Sequence, residues 1–412
     1  MLINLVLFME HSGIADLPLH YGKVPAWLYE RMSLLGKSIV EVILMDYGQD
    51  EVLRRLADPF WFQSFGAVLG MDWHSSGITT SVMGALKRAI NPCADAFGLY
   101  ICGGKGKFSK GTPQELLYLA DKTGLDGNRL VRTSKLVAKV DNTAIQDGYQ
   151  LYLHNFIVAK NGHWAVVQQG MHDYDGTARR YHWHSDKVRS FIEEPHAGIN
   201  GCPQGIILNL TASGAAPNRA GIMTIVNEDS SQALLDFKRL VMPSHHDVRS
   251  TDVDLKRLGA MLYVARENQP QNFEELLLLK GMGPRTLQSL ALVSEVIHGA
   301  PARFKDPARF SFAHGGKDGH PFPVPLDIYD QSIQILRKGI EKSKLGNSDK
   351  LKSVNKLHQI ILDAEHNFMP QFDIQQVIED ERRNSWRYNG RTVLGRAKAP
   401  KDDKTGKQLS LF

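Results

Sequence analysis

Asp141, Asp147, Glu194 and His196 are the side chains of this sequence best suited to hold a divalent ion. Carboxylate and imidazole donors suit Mg²⁺ or Mn²⁺. An ion held this way polarises a phosphate and activates a water, which is the chemistry of phosphodiester cleavage. His182, in the run Tyr181-His182-Trp183-His184, would serve as a further ligand or as general base. Lys105, Lys107 and Arg180 are the cations that would offset charge building on the phosphorus. The His and aromatic run equally suits stacking of nucleotide bases. Polar residues at strand ends also commonly do no more than satisfy turns. Asp72-Trp73-His74 lies upstream of this cluster, as does Gly103-Gly104-Lys105-Gly106-Lys107. That glycine run does not fit the P-loop spacing, so a backbone nest with two lysines is the phosphate site it could form.

The segment carrying the cluster reads as strands. Residues 150–160 and 163–169 flank Asn161-Gly162, a strong hairpin signal. Residues 181–185, 205–209 and 188–192 are further strand candidates. Upstream, the apolar spacing predicts helices over 27–45, 50–56 and 79–90, and an apolar run at 97–102. Thr112-Pro113-Gln114-Glu115 reads as a helix start with Thr112 as the N-cap. Downstream, helices are predicted over 252–267, 272–279, 284–297, 328–343 and 350–365, with a loop over 301–325. No internal repeat is visible.

A second candidate site lies among those helices. Leu279-Lys280-Gly281-Met282-Gly283-Pro284-Arg285, between two apolar helices, resembles the helix-hairpin-helix DNA-binding motif. Gly281 and Gly283 permit a sharp turn and close backbone approach, and Pro284 suits the first turn of a helix. Amides exposed at that helix start would face a phosphate, with Met282 between the glycines and Lys280 and Arg285 adding positive charge. Such contacts hold the nucleic-acid backbone without reading sequence. Arg179 and Arg180, with Lys107, are the further cations expected to meet DNA.

Composition sets wide bounds. The chain of 412 residues has 49 basic and 44 acidic side chains, and its net charge of +5 suits an anionic partner without requiring one. Cys93, Cys102 and Cys202 form no paired or metal-ligand spacing, which points to a reducing cytoplasm. Residues 2–9 are too short an apolar run to span a membrane. From about residue 379 the sequence becomes a basic, apolar-poor tail that reads as disordered.

That tail ends in Gln408-Leu409-Ser410-Leu411-Phe412, which resembles the peptide by which bacterial replication and repair proteins bind the DNA sliding clamp. The apolar pair would fill a pocket, and Gln408 would hydrogen-bond at its edge. A match of this kind at one stated position arises by chance on the order of once in a million.

Several strings together resemble an uncharacterised prokaryotic family, domain of unknown function 763. They are residues 13–20, 70–77, 103–107, 139–141, 146–152, 166–171 and 179–183. The likeness runs over about residues 12–345 and carries no assigned chemistry; for some members it implies a DNA nuclease, with no catalytic residues attached.

The expected fold class is α+β. A terminal extension (1–11) precedes a mixed α/β domain with a β-rich centre (12–245). An all-α helix-hairpin-helix domain (246–370) and a tail (371–412) follow. The expected function is a cytoplasmic DNA-binding protein of repair or replication. It is either a metal-dependent nuclease brought to the clamp or a non-catalytic adaptor that positions other enzymes there. Convergence of Asp141, Asp147, Glu194 and His196 separates the two.

Overall fold

The computed structural model describes residues 17–18, 24, 26–71, 76–172, 176–227, 255–308, 326–343, 346, 349–350, 353–355, 357, 391–392 and 395–396. Its strands are β1 (Leu17–Pro18), β2 (Leu99–Lys105), β3 (Ile145–Gln146), β4 (Tyr149–Ala159), β5 (Trp164–His172), β6 (Thr177–His184), β7 (Gly198–Asn200), β8 (Ile206–Asn209) and β9 (Arg303–Lys305). An antiparallel sheet runs in the order β1-β6-β5-β4-β2, with β7 also on β6, and a smaller antiparallel sheet runs β3-β8-β9. The helices are α1 (Ala26–Tyr47), α2 (Gln49–Leu56), α3 (Pro59–Val68), α4 (Gly77–Ile90), α5 (Ala94–Phe97), α6 (Lys107–Lys110), α7 (Thr112–Thr123), α8 (Gly127–Lys139), α9 (Ala216–Asn227), α10 (Leu255–Asn268), α11 (Phe273–Leu278), α12 (Pro284–His298) and α13 (Leu326–Lys342). Two short pieces, 391–392 and 395–396, pair antiparallel within the stretch expected to be disordered.

Local sequence explains several of these elements. The β4–β5 hairpin turns at Asn161-Gly162, where Gly162 has φ 88°, a value that favours glycine. Helix α3 starts at Pro59, and the Asp58 carboxylate accepts from the amides of Phe60 and Trp61. Helix α11 starts with a reciprocal cap: Asn272 accepts from the Glu275 amide, and Glu275 accepts from the Gln271 amide. Thr112 is the first residue of α7 and not its cap, because its hydroxyl donates back to the Ser109 carbonyl at 2.8 Å. Residues 188–192 form no strand, and residues 140–144 form a π turn at the end of α8.

The main sheet is covered on both faces. Strand alternation sends Phe156, Val158, Trp164, Val166, Tyr181 and Trp183 into one core, with apolar side chains of α7–α12. Ile101, Ile157, Ala159, Ala165 and Val167 point into a second core, with α1–α4 and α13. Burying one such large apolar side chain contributes roughly 1.5–3 kcal/mol.

The segment expected as a separate all-α domain is therefore shared between two layers. Helices α10–α12 sit in the same core as the sheet, whereas α13 packs on α1. Helical periodicity reveals which face of a helix is apolar, but not which surface will cover it.

Candidate functional site

Coverage of both sheet faces decides the fate of the polar strand residues. Asp141 leaves the π turn and points into the first core with no exposed surface. Its Oδ2 accepts from Trp183 Nε1 at 2.9 Å and from Gln168 Nε2, and its Oδ1 meets His196 Nε2 at 2.5 Å. Gln168 Oε1 then faces His154 Nδ1 at 2.6 Å, and His154 Nε2 faces the Ser134 hydroxyl at 2.9 Å. The Gln168 amide nitrogen is committed to Asp141 and the Val137 carbonyl. Its oxygen therefore accepts, which assigns the proton to His154 Nδ1 and makes Ser134 the donor to Nε2. Burial pushes the His154 imidazole below its ordinary range. The order Ser134–His154–Gln168–Asp141 has the polarity of a relay, but Ser134 is 4% and His154 6% exposed. The chain ties α8, β4, β5 and β6 together.

Asp147 belongs to a different network. Arg179 is clamped between Asp147 at 2.7 Å and Asp306 at 2.7 and 3.0 Å. The Tyr181 hydroxyl and the Tyr149 amide donate to Asp147, at 2.7 and 3.0 Å. Asp306 also accepts from the amides of Gln204 and Ala308. Burial raises the Asp147 carboxyl despite the Arg179 charge beside it. Burial opposes the charge on Arg179 too, but the two carboxylates outweigh it and hold the guanidinium protonated.

Arg180 and His182 face the opposite core. The Arg180 Nε donates to His182 Nε2 at 2.8 Å, and His182 Nδ1 donates to the Leu56 carbonyl at 3.0 Å. Arg180 Nη2 reaches Gln63 Oε1 at 2.9 Å, and its guanidinium lies 4.6 Å from the centre of the Phe62 ring. Burial alone lowers Arg180 to about 9. Burial first, and then the Arg180 charge, push His182 well below its ordinary range.

The expected metal centre is thus divided. Asp141 and His196 pair, Asp147 lies in the arginine network, and Glu194 is exposed on a loop, where its amide bonds the Thr211 carbonyl. Among the described residues, no group of three or more His, Cys, Asp or Glu side chains is arranged to hold a metal ion. His182, Arg179 and Arg180 have no exposed surface, and the hydrogen bonds of each are made within the protein. Their spacing looked functional because period-2 polar residues usually mark a solvated face, and here helices cover both faces. Sequence reasoning missed Ser134, His154, Gln63 and Asp306 as partners. Only the tertiary pairing shows their roles.

The turn between α11 and α12 is exposed. Helices α11 and α12 bury Phe273, Leu276, Leu277, Met282 and Leu287, while Lys280, Gly281, Pro284 and Arg285 face solvent. Gly281 has φ 93°, and the Met282 amide donates to the Leu279 carbonyl at 3.1 Å. The turn is braced from outside: Lys139 Nζ donates to the Met282 carbonyl, and Gln146 Nε2 to the Pro284 carbonyl at 2.7 Å.

A cleft of about 830 Å³ opens between α4, the end of β2 and the first half of β4. Lys87, Arg88 and Lys105 line it, and among the described residues no carboxylate does. Lys87 is neutralised behind the wall by Glu115 at 2.6 Å, and its ammonium also bonds the Gly103 carbonyl. Arg88 lies against the Tyr29 ring and Lys105 against the Tyr152 ring. The glycine run is not a free nest. The Gly103 amide is spent on Glu115 at 3.0 Å and the Gly106 amide on the Tyr152 carbonyl at 2.8 Å. Glycine is required at 103 for packing: φ is 91°, and a Cβ there would lie 2.2 Å from the His154 carbonyl oxygen. Lys107 is exposed on α6, beside Phe108.

The family model described as Protein of unknown function (DUF763) matches residues 13–324. The chain belongs to this family. No curated protein and no solved structure matches it. In this DUF763 protein, strings far apart in sequence meet at the cleft. Ser76 and Gly77 come from 70–77, Gly103 to Lys105 from 103–107, Tyr152 from 146–152 and Met171 from 166–171. Strings 139–141 and 179–183 supply the buried networks instead. Residues 72–75, with Asp72, Trp73 and His74, lie outside the described residues, as does the peptide 408–412. No helix among the described residues is long and apolar enough to cross a membrane.

Proposed function

We propose that this DUF763 protein binds DNA by its phosphate backbone, as a repair or replication factor held at the sliding clamp. The observation that carries the reading is the turn at 279–283. It combines an exposed Gly281 at φ 93° with exposed Lys280 and Arg285, and it lies at the start of the 15-residue helix α12. Backbone amides and two cations then face one anion from a braced support. The tail peptide Gln408–Phe412 supplies the tether, and two linked weak contacts raise the effective concentration of each. Division of the expected metal ligands favours the adaptor reading over a nuclease centred on Asp141, Asp147, Glu194 and His196.

The test is a salt series of DNA binding by the full-length protein, followed by fluorescence anisotropy on duplex DNA. Replacing Lys280 and Arg285 with Ala should weaken binding about tenfold or more and reduce the salt slope by about two. Unchanged affinity and slope would overturn the hairpin as the DNA contact. Deleting 408–412 should abolish capture by an immobilised bacterial clamp while leaving DNA affinity intact; retained capture refutes the tether. Cleavage of labelled DNA with Mg²⁺ or Mn²⁺ but not with EDTA, lost in Asp141→Asn, would restore the nuclease reading.

A further inference from the structure

The cleft holds a set of groups that neither the hairpin nor the buried networks explain. On its floor is Asn155, only 1% exposed. Its Nδ2 makes one long contact, 3.5 Å to the Val167 carbonyl, and its Oδ1 has no hydrogen-bond partner among the described residues. Its carboxamide thus keeps hydrogen-bonding capacity for a group that enters the cleft. It presents a donor and an acceptor side by side, the pattern that matches the edge of a nucleobase.

At the lip is Phe108, 56% exposed although its ring is wholly apolar. An aromatic face open to a cleft is a stacking platform for a planar ring. Arg88 and Lys105 line the same space, with Lys87 already neutralised by Glu115. That leaves two cations without a carboxylate partner among the described residues, enough for the charge of one phosphate. The volume falls within the range of small-ligand sites, roughly 300–1,000 Å³.

An aliphatic metabolite would leave the Phe108 platform and the Asn155 amide unused. A bare anion would leave the apolar part of the lining uncovered. One ligand class uses all three features: a planar heterocycle that stacks, an edge that pairs with an amide, and a phosphate.

We propose that this cleft is a nucleotide site. It takes one nucleotide unit, with the base stacked on Phe108 and its edge on Asn155, and the phosphate between Arg88 and Lys105. The site is separate from the hairpin, and the proposal stands whether or not the hairpin binds duplex DNA. The unit can come from a single strand or from a free nucleoside monophosphate.

The test uses full-length protein and a fluorescein-labelled oligodeoxyadenylate about 12 nucleotides long. Its competitors are adenosine 5′-monophosphate and inorganic phosphate, each at about 1 mM. Phe108→Ala and Lys105→Glu change exposed side chains, so folding should persist; unchanged thermal midpoints would check this. Each variant should weaken binding about tenfold. The monophosphate should compete and inorganic phosphate should not. Direct binding of the monophosphate assigns a free nucleotide as sufficient, and binding of the oligonucleotide alone assigns the strand; either supports the site. The Lys280→Ala, Arg285→Ala protein should keep this binding, which separates it from the hairpin. Parent-like binding by both cleft variants overturns the proposal. So does competition by phosphate equal to that of the nucleotide, or failure of both probes to bind.

Discussion

Stability of this protein should fall steeply on mild acidification, because two imidazoles are enclosed in the neutral form. His154 and His182 lie on opposite faces of the sheet, and both are pushed below the ordinary value of 6.5, chiefly by burial. Geometry gives the same answer. His182 Nε2 already accepts from Arg180, and a proton there would face a guanidinium 2.8 Å away. For a group whose folded pKa is depressed, the unfolded chain binds the proton first. The stability is therefore complete above 6.5 and is lost as pH falls from 6.5 toward the folded value. Between about pH 7.5 and pH 5.5 a histidine that stays neutral in the folded protein costs about 1.4 kcal/mol, the figure for His182, and His154 acts in the same direction. Asp147 acts with the opposite sign, because its raised carboxyl favours the folded state as pH falls. A variant comparison removes that contribution. Urea midpoints of the parent and His182→Asn at both pH values isolate one imidazole. The variant starts less stable, but its pH dependence should be smaller by about 1.4 kcal/mol. Equal pH dependence of the two proteins would refute the assignment of a neutral His182.

Arg179→Met should cost about 3–5 kcal/mol in urea unfolding, since it leaves Asp147 and Asp306 facing each other without a cation. Adding Asp306→Asn should restore part of it, and a loss under about 1 kcal/mol would contradict the triad. Gly103→Ala should cost at least about 2 kcal/mol, because φ is 91° and the new Cβ meets the His154 carbonyl at 2.2 Å. Parent-like stability would mean that β2 and β4 do not approach as described.

Much of the local structure was legible in the chain. The Asn161-Gly162 hairpin, the helix starts near Phe273 and Pro284 and the long first helix all follow from turn chemistry and apolar spacing. These are short-range signals, set by residues a few positions apart. The candidate site was read less well. Asp141 and His196 were singled out, and they do meet; Asp147 and Glu194 were joined to them, and they lie elsewhere. Arg179, Arg180 and His182 looked like a polar surface because adjacent strand residues point to opposite faces, and nothing in the string shows that both faces are covered. Asn155, enclosed among apolar strand residues, drew no attention, although it lines the cleft and its amide makes one long hydrogen bond.

By itself the sequence determined the hairpin's exposed cations and glycines, the terminal peptide and membership of the DUF763 family, since each is a contiguous string. Tertiary structure alone decided which polar residues are walls and which are open. Asp306 reaches Arg179 across 127 positions, and Asn155, Phe108 and Arg88 come together from three separate elements. Burial depends on what packs over a residue from distant parts of the chain. A carboxylate or guanidinium is thus a ligand, a catalyst or a strut according to contacts that its neighbours in sequence do not specify.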